Sequence, residues 1–462
     1  MMRTVRLGGY TLPYASVVAL GVALLSLLAR LAYVQLYSAP MPYWDQWDGE
    51  AAFLLKPWID GTLQWADMIR THNEHRILPT RLVTLGSYLI TGQWNNMYEA
   101  RVSAFVYCFI PGLLVWHALR DESSMRLNWL LVVAALLVAV LPFAWENILV
   151  GFQSQFYFLI LSSLVAVGLA ARHHENIIAV ATAVFLSIFA ALTMASGMLT
   201  PVAVGATYVL ACICLPGRRA PALGATVLLA AIAIAAYIAI PVIPQHRTLQ
   251  AQNVLELVDA VSHVLGWPVS KYHAAVVALW LPSVIVIARM LLTKKASRTE
   301  LVMAGICIWS ALQGAAIAYG RGHGMETPTS RYTELFIPGL FGNAWFAVHL
   351  LQRTAASKAV RVCSGLVAAA YGLTFMAGML VHIPADMATV RERAAAAQLQ
   401  QKNVLRYLVT NDPKALEVEY QQIPYPESAR LKSLLDDPAI RNALFVEVVP
   451  VHEGRPAPTQ TR

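Results

Sequence analysis

Eleven stretches of this chain run for about 17 residues or more with almost no charge, and that repetition limits the fold more than any other feature. A bilayer core is crossed by about 20 apolar residues of helix, because a helix satisfies every backbone N–H and C=O within one segment. The stretches lie near 12–35, 101–119, 128–145, 153–171, 177–196, 198–215, 221–243, 272–293, 299–319, 332–352 and 358–382. The expected fold class is an all-α polytopic membrane protein of about 11 transmembrane helices, with a helical external first loop and a small helical external cap at the C-terminus. Composition agrees: 58% of the 462 residues are hydrophobic and 13% are charged, where a soluble domain carries roughly a quarter charged. Arg3 and Arg6 precede the first stretch as in a signal peptide, but its length and the lack of a small-x-small cleavage site predict a retained anchor.

Charge then sets the orientation. With the N-terminus inside, the inner loops hold Arg3, Arg6, Arg120, Arg126, Arg172, Arg218, Arg219, Lys294, Lys295, Arg298, Arg353, Lys358 and Arg361, against Asp121, Glu122, Glu175 and Glu300. The net charge of +8 is therefore a topology signal and gives no support for a nucleic-acid partner. Residues 77–92 are apolar but short and contain Arg81; they are expected to lie on or dip into the outer leaflet. The five cysteines sit in apolar stretches and indicate neither a disulfide framework nor a zinc site.

Three external regions have room for chemistry: the loop at 36–100, the loop at 244–271 and the tail. The chain divides into a membrane domain, 1–383, and a small soluble region, 384–462, with an Ala-rich helix at 391–408, Pro-punctuated short helices and a disordered polar end at 455–462. Ten basic and ten acidic residues follow position 384, so the tail is neutral.

The first loop holds five of the twelve tryptophans, which suits a segment lying along the headgroups. It also holds Asp45, Asp48 and Glu50. Asp45 and Asp48, three apart, share a helix face, and carboxylates crowded against apolar rings suit a general base. The plainer reading makes Asp48 the N-cap of a helix at 49–60. His72, Asn73, Glu74, His75 and Arg76 concentrate donors, acceptors and fixed charge in five residues. His72 and His75 with Asp45 or Asp48 could hold a divalent metal ion, and a sugar-binding role or a solvated loop fits equally.

A second constellation is Gly320-Arg321-Gly322-His323-Gly324 followed by Ser330-Arg331-Tyr332. External arginines run against the positive-inside trend, and a guanidinium grips phosphate bidentately, so a phosphate is the natural ligand; the alternative is snorkelling to headgroups. Trp145, Glu146, Asn147, Gln153 and Gln155 form a third polar group, for which helix–helix hydrogen bonds are the simpler role. His246 and Arg247 begin the next outer loop without a specific pattern.

This layout resembles the GT-C superfamily of polytopic glycosyltransferases, which includes the lipid A aminoarabinose transferases and protein O-mannosyltransferases. An acidic residue follows the first span, Asp45 precedes Gly61 by sixteen residues with Trp65 beyond, and an external Arg331-Tyr332 precedes a late span. The sequence departs from the family in having Asp-Gln-Trp-Asp in place of an adjacent Asp-Glu pair, which leaves the base open between Asp45 and Asp48. The resemblance implies transfer of a sugar from a polyprenyl-phosphate donor to an envelope glycan, lipid or protein acceptor at the outer face of a bacterial inner membrane, with the N-terminus cytoplasmic and the C-terminus periplasmic. It further implies that Arg321 and Arg331 neutralise the leaving phosphate, with Glu50, His72, Glu74, His75, Arg76, His323 and Tyr332 around the substrates. A transporter or flippase of lipid-linked saccharides is the rival reading, weakened by the scarcity of mid-span charge and of internal repeats. A non-catalytic envelope-assembly protein is the third.

Overall fold

The computed structural model describes residues 4–7, 10–120, 125–352 and 357–445; Arg3, Asp121, Glu122, Arg353 and the polar end at 455–462 lie outside these. Eight helices are long and apolar enough to cross a membrane: Tyr14–Tyr37, Asn96–Leu119, Gly151–Arg172, Ala195–Cys214, Ala220–Ile238, Ala274–Thr293, Arg298–Arg321 and the start of Lys358–Thr410. Three shorter apolar helices, Leu127–Val140, Ile177–Ala191 and Ile337–Leu351, occupy the remaining expected positions. The protein is an all-α polytopic membrane protein, with one addition that the hydropathy pattern did not signal, a hairpin pairing Thr4–Leu7 with Tyr10–Pro13 ahead of the first span.

Local chemistry explains where the helix ends differ from the apolar windows. The second span starts at Asn96 because Asn95 caps it, its side chain accepting the Met97 amide at 2.9 Å. Glu99, which lay outside the apolar window, is absorbed with Arg101 within that helix. Pro142 follows the end of the third span, and Pro338 sits in the first turn of the tenth. Small residues bring spans together: a Cβ on Gly305 would lie 2.6 Å from Val167 Cγ1, so only glycine permits this crossing.

Contacts at the two ends of the bundle sort the loops into two sets. At one end Arg172 donates to the His117 carbonyl and to Thr299, Arg218 N–H donates to Glu175, and Arg289 and His349 meet Glu300. At the other end Glu74 meets His246, Asn147 meets Arg331, and Trp94 pairs with Ala443. These sets match the alternation of eleven crossings. The helix Leu78–Thr91 does not cross, since Asp45 and His72 before it and Trp94 after it lie at the same end. Its Arg81 is 1% exposed and donates to the carbonyls of Met68, Arg70 and Arg76.

The first loop and the tail share one hydrophobic core. Met41, Trp47, Ala51, Leu55 and Trp94 pack against Val404, Tyr407, Leu431 and Leu435. Two of the loop's tryptophans, Trp47 and Trp94, are therefore core residues packed edge-to-face at 5.1 Å, while Trp44, Trp58 and Trp65 remain exposed. The tail comprises the helix Ile383–Thr410, which ends at a left-handed Asn411, and the short helices Ser428–Leu435 and Pro438–Ala443.

Within the outer part of the bundle, Arg30 and Glu334 form an ion pair with both side chains almost fully buried. Arg30 also donates to Tyr157 Oη at 2.8 Å and lies 3.6 Å over the Tyr107 ring, and Asn147 donates to the second Glu334 oxygen at 2.8 Å. Such a pair costs far more to break than to replace. Arg30→Met should lower stability by about 3–5 kcal/mol, whereas Arg30→Met with Glu334→Leu should recover most of that loss in thermal unfolding of the detergent-solubilised protein. An additive double loss would sink the pairing.

Candidate functional site

The segment Tyr43-Trp44-Asp45 enters the first loop helix through a tight turn. Trp44 takes a left-handed φ of 50°, and its N–H donates to the Pro424 carbonyl of the tail at 2.8 Å. Residues Trp47–Leu55 then form a π-helix, a wide-turn geometry that is rare and concentrated at functional sites. Gly49 lets this helix settle on its neighbours, since a Cβ there would lie 2.8 Å from Phe152 Cε2 and 3.5 Å from His72 Nδ1. The same approach sets His72 edge-on to Phe152 and opposite Asp45.

The two candidate bases are separated. Asp45 Oδ1 faces His72 Nε2 at 3.7 Å. Burial works to raise the Asp45 carboxyl, but the facing His72 ring and the nearby Arg331 hold it below the ordinary carboxylate range. Asp48 turns the other way, accepting from Tyr425 Oη at 2.6 Å and from Arg430 Nη2 at 2.7 Å and Nε at 3.2 Å. It caps no helix and instead fastens the tail to the loop. Glu50 is fully buried, accepting from Gln46 Nε2 at 3.0 Å and Trp94 Nε1 at 2.8 Å beside Glu99, and burial raises its carboxyl.

His72 and His75 close a tight turn around Asn73, which also has a left-handed φ. His75 accepts the Ala195 amide at Nδ1, 3.2 Å away, so its proton resides on Nε2; burial lowers its pKa to about 4 and it stays neutral. Among the described residues, His72 and His75 do not converge with Asp45 or Asp48 as a three-ligand metal set. Glu74 bonds His246, which with neighbouring charge holds it below the ordinary range against the opposing effect of burial. Arg321 Nη2 lies 3.4 Å from His246 Nδ1 and 3.8 Å from Glu74 Oε1.

Glu74, His75, His246 and Arg321 line a cavity of about 550 Å³, and Asp45 and His72 are not among its lining residues. Its polar lining includes Glu74, His75, Ser196, His246, Arg247, Arg321 and Tyr332, and its walls are apolar residues of 237–243 and 316–317. Arg331 adjoins it, 3.5 Å from Glu146 Oε1 and over the Tyr332 ring at 5.3 Å. Glu146 accepts from Ser330 Oγ at 2.6 Å and from the Arg331 amide at 3.1 Å, and Asn147 donates to the Arg331 carbonyl at 2.8 Å. The polar group at 145–147 thus holds the Arg331-Tyr332 turn in place.

Besides Asp48, held by the tail, and Glu50, buried beside Trp94 and Glu99, two more predicted residues fall outside this gathering. Arg76 is spent on the carbonyls of Ile69 and Ala239. His323 bonds Glu256 at 2.7 Å near the start of the helix Val254–Leu265. In the other direction, His246, Arg247 and Ser196 belong to the cavity and were not singled out by pattern. The basic His246-Arg247 pair stands against the positive-inside trend as Arg321 does, and that signal could have found it.

Several buried polar atoms here have no hydrogen-bond partner: His72 Nε2, Glu74 Oε2, Asn147 Oδ1 and Ser196 Oγ. Buried polar groups are nearly always satisfied, and two of these, Glu74 Oε2 and Ser196 Oγ, belong to residues that line the cavity, which suits a polar ligand there.

No protein-family model and no curated protein matches the chain. Among solved structures it is similar to the archaeal oligosaccharyltransferase AglB from Archaeoglobus fulgidus, determined in complex with an inhibitory peptide and a dolichol-phosphate, at a TM-score of 0.48 and 11% identity. The match covers 89% of this chain, which spans 60% of that one.

Proposed function

We propose that this protein is a membrane glycosyltransferase of GT-C type that moves a sugar from a polyprenyl-phosphate donor to an envelope glycan, lipid or protein acceptor at the outer face of the bacterial inner membrane. The observation that carries the reading is the cavity beside His75: apolar along its walls, lined by His246, Arg247 and Arg321, and holding the unpartnered buried atoms Glu74 Oε2 and Ser196 Oγ. An apolar slot with cationic residues in its lining fits a lipid carrying a phosphate.

In this reading the lipid lies against 237–243 and 316–317, and its phosphate meets Arg321, Arg247 and His246. Asp45, held ionised, takes the proton from the acceptor hydroxyl, whose oxygen bonds to the anomeric carbon. The bond from that carbon to the phosphate oxygen breaks, and the phosphate leaves with the electron pair. Arg321 and Arg331 stabilise the charge that develops on it. His75, neutral with its proton on Nε2, is a donor for a sugar or phosphate oxygen. Asp48 acts on the geometry by holding the tail that positions Trp44 and Asp45.

Asp45→Asn should lower kcat for sugar transfer by about 10²–10⁴-fold with membrane insertion intact. Asp48→Asn should cost ~1 kcal/mol or less and make the tail more sensitive to protease. Unchanged transfer in Asp45→Asn, followed with a radiolabelled polyprenyl-phosphate sugar, would remove Asp45 as the base. Arg321→Ala should raise KM for the lipid donor more than for the acceptor, and an equal rise in both would count against phosphate binding there.

The pH profile supplies a separate check. A carboxyl held below its ordinary value stays ionised further into acid, so the acid limb of kcat should lie below the usual carboxylate range. His72→Gln removes a group that holds Asp45 down, and the limb should then move to higher pH. An unmoved limb would detach His72 from Asp45.

A further inference from the structure

The loop between the seventh and eighth spans carries a second group of side chains, separate from the cavity and from Asp45. On the helix Val254–Leu265, Asp259 and His263 are one turn apart, and His273 returns to the same spot just before the helix Ala274–Thr293. His263 Nε2 lies 3.5 Å from Asp259 Oδ2, His273 Nε2 lies 3.6 Å from Asp259 Oδ1, and the two rings are 4.7 Å apart. One ligand atom from each residue lies within 4.8 Å of the other two.

The outer hydrogen bonds of the two rings decide what these atoms are. His263 Nδ1 is 2.7 Å from the Ser270 carbonyl oxygen, which can only accept, so Nδ1 carries the proton. Ser262 Oγ donates to the Asp259 carbonyl at 2.7 Å, so it accepts from His273 Nδ1 at 2.5 Å. In the neutral rings both protons are therefore on Nδ1, and both Nε2 atoms present lone pairs to one carboxylate. Three acceptors facing one another repel unless a proton or a metal cation lies among them, and a metal ion engages all three at once. A ring nitrogen fixed as donor to a carbonyl or hydroxyl, with the other turned inward, is the arrangement that orients histidine ligands at metal sites.

The geometry points to a divalent transition-metal site at Asp259, His263 and His273, of the Zn2+ class. Two imidazoles and a carboxylate suit Zn2+ or Co2+ and not the all-oxygen shells of Mg2+ or Ca2+. Tetrahedral Zn2+ with bonds near 2.1 Å sets its ligand atoms about 3.4 Å apart; each ring nitrogen lies near that distance from one oxygen of Asp259, His263 from Oδ2 and His273 from Oδ1, and one ligand atom from each residue lies within 4.8 Å of the others, so a modest closure completes the set. Asp259 and His273 are exposed, leaving a fourth position open to water. The ion staples the helix Val254–Leu265 to the start of the eighth span. The connecting residues 267–272 line a second cavity, of about 630 Å³, and His246, Arg247 and Gln250 line the first, so the staple stiffens a wall of each.

The test is a titration of the purified, detergent-solubilised full chain with Co2+ alone, followed by visible absorption and equilibrium dialysis. Wild type should bind one equivalent more than His273→Gln and than Asp259→Asn, with a tetrahedral Co2+ spectrum that Zn2+ abolishes and excess Mg2+ leaves unchanged. Ser262→Ala, which frees His273 Nδ1, should weaken binding by about tenfold. His273 is 60% exposed, so its variant is expected to fold, with size-exclusion behaviour as the check. Zn2+ should raise Tm in wild type and not in His273→Gln. Equal Co2+ stoichiometry and spectra in wild type and both variants, or displacement by Mg2+, would overturn the site.

Discussion

The end of the bundle that carries the cavity is organised from within by the pair Arg30–Glu334. A charge in a low-dielectric interior is tolerated only with a partner, and each remaining polar atom then needs its own. Tyr157 and Asn147 meet part of that demand, at Arg30 Nη1 and Glu334 Oε2, which draws the first span, residues 145–157 and the turn at 330–334 to one point. Asn147 also holds the Arg331 carbonyl, so the direction of Arg331 follows from the satisfaction of a charge pair beneath it. The cationic edge of the cavity is thus a consequence of electrostatics one layer down.

Above that layer the site combines groups of opposite tendency. Asp45 is kept ionised and His75 neutral, a few residues apart in space, because Asp45 faces a ring and a guanidinium while His75 is closed off from water and committed to a backbone amide. Environments that drive neighbouring groups toward different protonation states are the physical basis for dividing acid, base and donor roles. The unpartnered atoms of His72, Glu74 and Asn147 add unsatisfied hydrogen-bonding capacity to the same region.

The spans were legible because hydrocarbon as solvent imposes one rule on every crossing, and a count of apolar residues reads it directly. The non-crossing helix Leu78–Thr91 was legible in its shortness and in Arg81, whose charge is met by three carbonyls. What did not appear in the sequence was any relation that joins distant segments. Asp48 looked like a helix cap or a base, and its partners Tyr425 and Arg430 lie far along the chain. Trp47 and Trp94 looked interfacial because composition cannot distinguish a ring at a headgroup from one in a small core formed with the tail. His246 and Arg247 acquired meaning only when folding set them beside Glu74 and Arg321.

The shared core of loop and tail also fixes an order of events during synthesis. Asp48 and Arg430 are 382 residues apart in the chain, so at 5–20 residues per second about 20–75 s separate their appearance. Throughout that interval the first loop has left the ribosome without the residues that close over Trp47 and hold the turn at Trp44. Asp45 therefore reaches its final setting only after the last span has been threaded, and an unfinished chain exposes the first loop without its assembled carboxylate site.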